Sequence, residues 1–155
     1  MSRTTFGAIV VGGLVAGTLD ILYAITFYWF RNGVQPIRIL QSVASGLLGK
    51  SAYQGGVPTA ALGLALHFFI ALSAAAVFVA LSRHVPAMAD RPVLAGAVFG
   101  VGVYAFMNLV VVPLSRFPQR PSFPAVVLVT GLLAHVFLIG IPIGLAARRT
   151  SSRGA

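Results

Sequence analysis

The stretch FGAIVVGGLVAGTLDILYAITFYWF, residues 6–30, decides the fold class, because it is a long apolar run interrupted by a single charged residue, Asp20. At about 1.5 Å per residue, a helix of this length exceeds the roughly 30 Å hydrocarbon core of a bilayer. An Asp at the centre of a membrane helix costs about 2.5–3.5 kcal/mol on insertion scales, so it normally faces protein, water or a partner. We therefore predict a transmembrane helix whose Asp20 is turned away from the acyl chains.

The composition places the rest of the chain in the membrane as well. Of its 155 residues, 58% are hydrophobic and 8% are charged, and the mean hydropathy is +0.95. A soluble domain carries about 25% charged residues. The chain has no cysteine, which excludes disulfides and thiolate metal sites. Size and periodicity predict one all-α membrane domain.

Three further apolar runs are long enough to span a bilayer. Together with the first they predict four spans, numbered 1 to 4, at about 6–30, 58–82, 92–115 and 123–147. The polar tail at 148–155 is expected to be disordered.

The connector between spans 1 and 2 predicts an amphipathic helix at about 36–50 that is too short to cross the bilayer. Its apolar arc consists of Ile37, Leu40, Val43, Ala44, Leu47 and Leu48. Its polar arc consists of Arg38, Gln41, Ser42, Ser45, Gly46 and Gly49. Such a helix lies in the membrane interface or folds back over the bundle. A lid over a polar site is the alternative interpretation.

The formal net charge of +9 comes from eleven Lys and Arg residues against two acids. Several of the basic residues lie just outside an apolar run, where they meet lipid phosphates. The charge therefore indicates the lipid bilayer as a partner and argues against nucleic acid. Basic residues are slightly more numerous on the side of the termini, so the positive-inside rule predicts that both termini are cytoplasmic.

Polar side chains recur in all four spans. They are Asp20, His67, Tyr104, Asn108 and His135. Counted at about 1.5 Å per residue from the membrane face that carries Arg31 and Arg116, they lie roughly 10–18 Å deep. The sequence therefore predicts a buried polar site near the membrane midplane.

Glycines spaced along the spans predict where helices pack closely. They are Gly13, Gly17, Gly63, Gly96, Gly100 and Gly131. Gly63 and Gly131 stand four residues before His67 and His135, and helical side chains lean toward the preceding turn. These two glycines therefore leave room beside each imidazole for a close helix or a flat ligand.

Two further signals are local. Asp90 stands just before Arg91 and Pro92 at the start of span 3, which predicts a carboxylate cap on the unpaired N–H groups of that helix. Pro142 follows Gly140 in span 4 and removes one backbone hydrogen bond, which predicts a kink.

Spans 2 and 4 share the pattern G-L-x-x-H-x-F, at residues 63–69 and 131–137. Both spans run in the same direction, so the simplest account is two helical hairpins in tandem, related by an axis along the membrane normal. Spans 1 and 3 align only at their glycine-rich starts. The shared histidine is the informative part of the repeat.

The polar site allows three functional interpretations. It could be a structural clasp, in which each interhelical hydrogen bond adds about 0.6–2 kcal/mol. It could serve proton-linked transport of a small solute or ion, because Asp and His exchange protons near neutral pH in suitable surroundings. It could also bind a cofactor, with His67 and His135 as axial ligands of haem b, or with Asp20 added to hold a divalent metal.

Two expectations about partners and chemistry complete the sequence analysis. No nucleophile and base occur at short spacing, so we do not expect an enzyme, although a lipid-directed enzyme stays open. Four helices seldom enclose a transport pathway alone, which predicts a homo-oligomer or a place in a larger membrane complex as an accessory subunit.

Three stretches carry a resemblance to a known group of proteins. They are GVQPIRILQSVASGLLG at residues 33–49, the two G-L-x-x-H-x-F motifs, and FMNLVVVPLS at residues 106–115. Together they resemble small bacterial four-span inner-membrane proteins with no established activity, and the likeness extends from Gly12 to about Pro142. The resemblance implies a bacterial source and a location in the inner membrane. It implies no activity and no cofactor.

Overall fold

The computed structural model describes residues 3–119 and 124–151, and this part of the chain is helical without a strand. Four helical segments in it are long and apolar enough to cross a membrane. They are span 1, Thr5–Asn32; span 2, Gly56–Ser82; span 3, Pro92–Leu114; and span 4, Ala125–Arg148. The prediction of an all-α fold with four long apolar helices is confirmed. Phe123, the first residue predicted for span 4, lies outside the described residues.

The helices of the first half are α1 at Arg3–Asn32, α2 at Pro36–Leu48, a 3-10 helix at Gly49–Gln54 and α3 at Gly56–Ser82. Span 3 follows a short helix α4 at Pro86–Asp90, and consists of α5 at Pro92–Phe106, a π-helix at Met107–Val111 and α6 at Val112–Leu114. Span 4 consists of α7 at Ala125–Ala134, a π-helix at His135–Gly140 and α8 at Ile141–Ser151. Helix α8 thus runs into the tail that was expected to be disordered, of which residues 152–155 lie outside the described part.

The spans pack side by side in the order 2, 1, 4, 3. Span 1 contacts span 2 on one side and span 4 on the other, and span 4 packs along span 3. Within the described residues, the backbones of spans 2 and 3 come close to each other almost nowhere. An apolar groove of about 440 Å³, lined by Phe69 and Phe106 among others, lies between them. The bundle is therefore open along one side.

The buried core closes one end of this groove. Its members are Ala8, Ala16, Ala75, Phe78, Val79, Ile139, Ile143 and Ala147. Phe78 of span 2 is 0% exposed, and its ring lies edge-on to the ring of Phe99 in span 3, with centroids 5.1 Å apart. This aromatic contact joins spans 2 and 3 at the end of the bundle where α1 begins.

Glycine allows a close approach between spans 3 and 4. A Cβ placed on Gly140 would overlap the carbonyl oxygen of Gly96, and one placed on Gly100 would overlap the carbonyl oxygen of His135. Because lipid tails are as apolar as side chains, van der Waals contact of this kind holds membrane helices together. The two backbones therefore touch directly.

Span 1 uses glycine in the same way against span 2. A Cβ on Gly13 would lie 2.7 Å from Cδ2 of Leu72, and one on Gly17 would lie 2.9 Å from the ring of Phe68. Both distances are shorter than carbon atoms tolerate, so only glycine permits this packing.

Spans 3 and 4 share an irregularity that follows from their prolines. The π-helices Met107–Val111 and His135–Gly140 each end two residues before a proline, Pro113 and Pro142 respectively. The amide after each segment bonds to the carbonyl five residues earlier, where an α-helix would use the fourth. Because proline has no N–H, a longer turn lets the helix continue around the missing donor. The irregularity predicted from Pro142 thus takes the form of a π-helix that includes His135.

The prediction that Asp90 caps span 3 was wrong. Asp90 is the last residue of α4, and the residue that precedes helix α5 is Arg91, with φ −125° and ψ 62° and no side-chain capping bond. The short helix begins at Pro86 and takes Asp90 into its last turn. The carboxylate therefore stands one position too early to cap the next helix.

Helix α2 folds back over span 2 and buries Gln41 and Ser45 of its polar arc together with Ala44 of its apolar arc. Ser45 is 0% and Gln41 2% exposed, whereas Leu47 is 54% exposed. Nε2 of Gln41 donates to the carbonyl oxygen of Gly56 at 3.0 Å, and a Cβ on Gly63 would overlap the carbonyl oxygen of Leu40. Its placement in the membrane interface stays a prediction.

The far end of α2 reaches span 3. The backbone N–H of Arg116 donates to the carbonyl oxygen of Gly46 at 2.8 Å. A cavity of about 360 Å³ lies beneath this bridge and is lined by residues of α2, span 2 and span 3. Helix α2 therefore crosses the end of the groove opposite to the core.

Replacing Gly140 with alanine should lower the free energy of unfolding in mild detergent by about 1–3 kcal/mol, because the new methyl group forces spans 3 and 4 apart. Gly102→Ala is the matched control, since nothing lies within 4 Å of a Cβ at that position. Equal stability of the two variants would show that the close contact between Gly140 and Gly96 does not hold the bundle together.

Candidate functional site

Asp20 lies on the face of span 1 that points into the bundle. Ala16, four residues earlier, is 0% exposed in the core, and Gly17, three residues earlier, lies against Phe68 of span 2. Residues three and four apart share one helix face. Asp20 is half-buried, so its side chain starts from this inward face and stays partly exposed.

The carboxylate of Asp20 has no protein partner in the part of the chain that the structure describes. Within residues 3–119 and 124–151 it makes no hydrogen bond and no ion pair. In the same residues, no fully enclosed side-chain oxygen or nitrogen lacks a hydrogen-bond partner. The oxygens of this unpaired carboxylate are therefore accessible and are not sealed between helices.

His67 joins span 2 to span 1 close to Asp20. Its Nε2–H donates to the carbonyl oxygen of Gly17, with 2.8 Å between nitrogen and oxygen. The close approach at Gly17 brings the backbone of span 1 within reach of this imidazole. The bond fixes the ring between two spans and uses its Nε2.

His135 occupies the corresponding place in span 4 but has different partners. Its Nδ1–H donates to the carbonyl oxygen of Gly131 in the same helix at 3.0 Å, which leaves Nε2 as the acceptor of the neutral ring. The ring packs edge-on against Tyr104 of span 3, with centroids 5.1 Å apart. A Cβ on Gly131 would lie 3.0 Å from the Tyr104 ring, so the glycine makes room for this tyrosine.

The predicted polar residues come together only in part. His135 interacts electrostatically with both Asp20 and His67, so these three groups share one neighbourhood without a direct bond between them. Asn108 has a local role, because its Nδ2 donates to the carbonyl oxygen of Tyr104 in its own span at 2.9 Å.

Tyr23 is a neighbour of this site that the sequence analysis missed. It interacts electrostatically with Tyr104 across the bundle, and its ring stacks on Phe27 with centroids 5.5 Å apart. Tyr23 and Phe27 follow Asp20 by three and seven residues, which places all three on one helix face. That spacing was the signal available in the sequence.

The space predicted beside the imidazoles is taken up by protein. Gly63 lies against the backbone of α2, and Gly131 lies against the ring of Tyr104. The room that small residues leave in spans 2 and 4 therefore serves helix and ring packing.

The predicted three-ligand metal site does not form in the described part of the chain. No three His, Asp or Glu side chains among the described residues come together as metal ligands, and Asp20, His67 and His135 all belong to that part of the chain. A haem iron bound by two histidines requires a free ring nitrogen on each. Because Nε2–H of His67 donates to Gly17 and Nδ1–H of His135 donates to Gly131, the nitrogens left free are Nδ1 of His67 and Nε2 of His135. Haem binding stays a prediction.

No protein family model, no curated protein and no solved structure matches this chain. The likeness to small bacterial inner-membrane proteins therefore stays a prediction from sequence. Support for a function comes from the geometry of the bundle itself.

Replacing His67 with leucine should lower the free energy of unfolding by about 0.6–2 kcal/mol, because the hydrogen bond between spans 1 and 2 is lost. Ser73→Ala is the control in the same span, since its hydroxyl donates only to Phe69 of its own helix. Unfolding in mixed detergent micelles measures both variants. A His67→Leu protein as stable as the wild type would mean that this bond contributes nothing to helix association.

Proposed function

We propose that this protein is a multi-pass transporter that couples the movement of a small solute or ion to a proton, with Asp20 as the proton-binding group. One observation carries the proposal: the carboxylate lies inside a membrane-spanning bundle, has no protein partner among the described residues and stays accessible. Acidic groups at this depth are expensive and mark ion or substrate pathways or proton relays.

The alternative is a structural clasp, and two contacts favour it. His67 bonds to Gly17 of span 1, and His135 packs on Tyr104 of span 3, so each imidazole links the two spans of its own hairpin. These contacts account for both histidines. They leave Asp20 without a structural role, because a clasping carboxylate would be paired with a donor.

The two histidines contribute to transport as neighbours of Asp20. Both lie within electrostatic range of each other, and Asp20 lies within range of His135. A proton that leaves the carboxylate therefore has imidazole acceptors nearby. Each neutral ring keeps one accepting nitrogen for this relay, Nδ1 of His67 and Nε2 of His135.

The irregular parts of spans 3 and 4 supply the movement that transport requires. The π-helices Met107–Val111 and His135–Gly140 lie beside the polar site, and π-bulges are frequent at functional sites. None of the described helices lies along the groove between spans 2 and 3. A second copy of the chain that covers this groove would complete a pathway, in the inner membrane of a bacterium with both termini in the cytoplasm.

Asp20→Asn should abolish proton movement into vesicles that contain the purified protein, because an amide cannot bind and release the proton. Internal pH, followed with a trapped fluorescent dye under an imposed membrane potential, provides the measurement. Asp90→Asn is the matched control, since it removes the other acid of the chain at an exposed position and should leave the flux unchanged.

Two outcomes contradict the transport proposal. The wild type could carry no more protons than protein-free vesicles, or Asp20→Asn could carry as many as the wild type. If the variant changes only the melting temperature, the clasp is the correct interpretation.

A further inference from the structure

We propose that the site around Asp20 takes a monovalent organic cation, such as a hydrophobic substituted ammonium or phosphonium. The carboxylate would neutralise its charge, and the rings of Tyr23 and Tyr104 would contact its surface. This inference rests on the proposed transport function and names the substrate class of the same site.

The charge of the site selects a cation. Asp20 is one of only two acids in the chain, and no Lys or Arg among the described residues pairs with it. The guanidinium carbon Cζ of Arg31, on the same helix, lies 5.9 Å from the centroid of the Phe27 ring, so the charge of Arg31 interacts with this ring. An unpaired anion inside the bundle repels anionic solutes and attracts cations.

The neighbours of Asp20 favour an organic cation over a divalent metal ion. Hard inorganic cations such as Ca²⁺ and Mg²⁺ need about six oxygen ligands, and the second carboxylate that such a shell requires is missing. Within the described part of the chain, no three acidic or histidine side chains converge as ligands. Aromatic faces do attract the diffuse charge of quaternary ions.

Two tyrosines from different spans provide those aromatic faces. Tyr23 lies one turn beyond Asp20 on the same helix face, and it interacts electrostatically with Tyr104 of span 3. The hydroxyls of both tyrosines lack a partner among the described side chains, and neither is fully enclosed. A ligand beside Asp20 would therefore lie near the ring of Tyr23, and Tyr104 would provide the second ring from span 3.

Proton exchange follows from the same arrangement. The carboxylate holds either a proton or the organic cation, so the two compete for Asp20, and the cation displaces the proton from any carboxyl group that carries one. The titratable groups of this neighbourhood are Tyr23 and Tyr28 on the helix of Asp20, His67 from span 2, Tyr104 from span 3 and His135 from span 4. Asp20 is the only carboxylate among them, so it is the group that the cation meets.

The direct test is calorimetric titration of the purified protein in uncharged detergent with tetraphenylphosphonium. Tetraphenylborate, which has the same shape and the opposite charge, is the control ligand. We expect the phosphonium to bind and the borate not to bind. Asp20→Asn should abolish phosphonium binding, and Asp90→Asn should leave it unchanged.

A pair of variants at one tyrosine tests the aromatic contact. Tyr104→Leu should weaken phosphonium binding about tenfold, whereas Tyr104→Phe, which keeps the ring, should bind as the wild type does. Melting temperatures of both variants separate lost binding from lost folding. Tyr23→Leu and Tyr23→Phe repeat the comparison on span 1, so the test stands even if one position fails to fold.

The outcomes separate this inference from the transport function. If phosphonium binding survives Asp20→Asn, or the borate binds equally well, the cation site is overturned, while proton flux that depends on Asp20 would still support transport. If the phosphonium binds through Asp20 but vesicles show no proton movement, the transport function fails and a cation-binding site remains.

Discussion

The demand that every backbone polar group find a partner inside the chain governs this structure, because a bilayer core offers no water. It makes the four apolar runs helical. It also explains the two π-helices, since Pro113 and Pro142 each remove a donor that lipid cannot replace. The same demand applies to side chains: His67 bonds to a backbone carbonyl of span 1, and Gln41 bonds to the start of span 2.

Glycine contacts then determine which helices become neighbours. Gly13 and Gly17 hold span 1 against span 2, and Gly96 and Gly140 hold span 3 against span 4. Within the described part of the chain, no comparable small-residue contact links spans 2 and 3, which meet through Phe78 and Phe99 at one end. The bundle therefore has a closed end and an open groove, with Asp20 on the inward face of span 1.

The two copies of the repeated motif make different contacts. His67 and His135 stand in the same motif, yet the first bonds to the backbone of the preceding span and the second packs on a tyrosine. Gly63 accommodates helix α2, whereas Gly131 accommodates the ring of Tyr104. Among the residues that the structure describes between spans 3 and 4, helix α2 has no counterpart, so identical motifs meet different surroundings. The polar site is asymmetric for this reason.

The sequence by itself determined the all-α class, the four spans and the unusual position of Asp20, because hydropathy and helix length are properties of each segment alone. It could not place Asp90, since the short helix α4 depends on how the chain turns between spans. It also could not decide whether a carboxylate and two imidazoles would bond to one another. Only the tertiary structure decided that, because helix rotation and glycine packing gave the imidazoles other partners and left Asp20 without one.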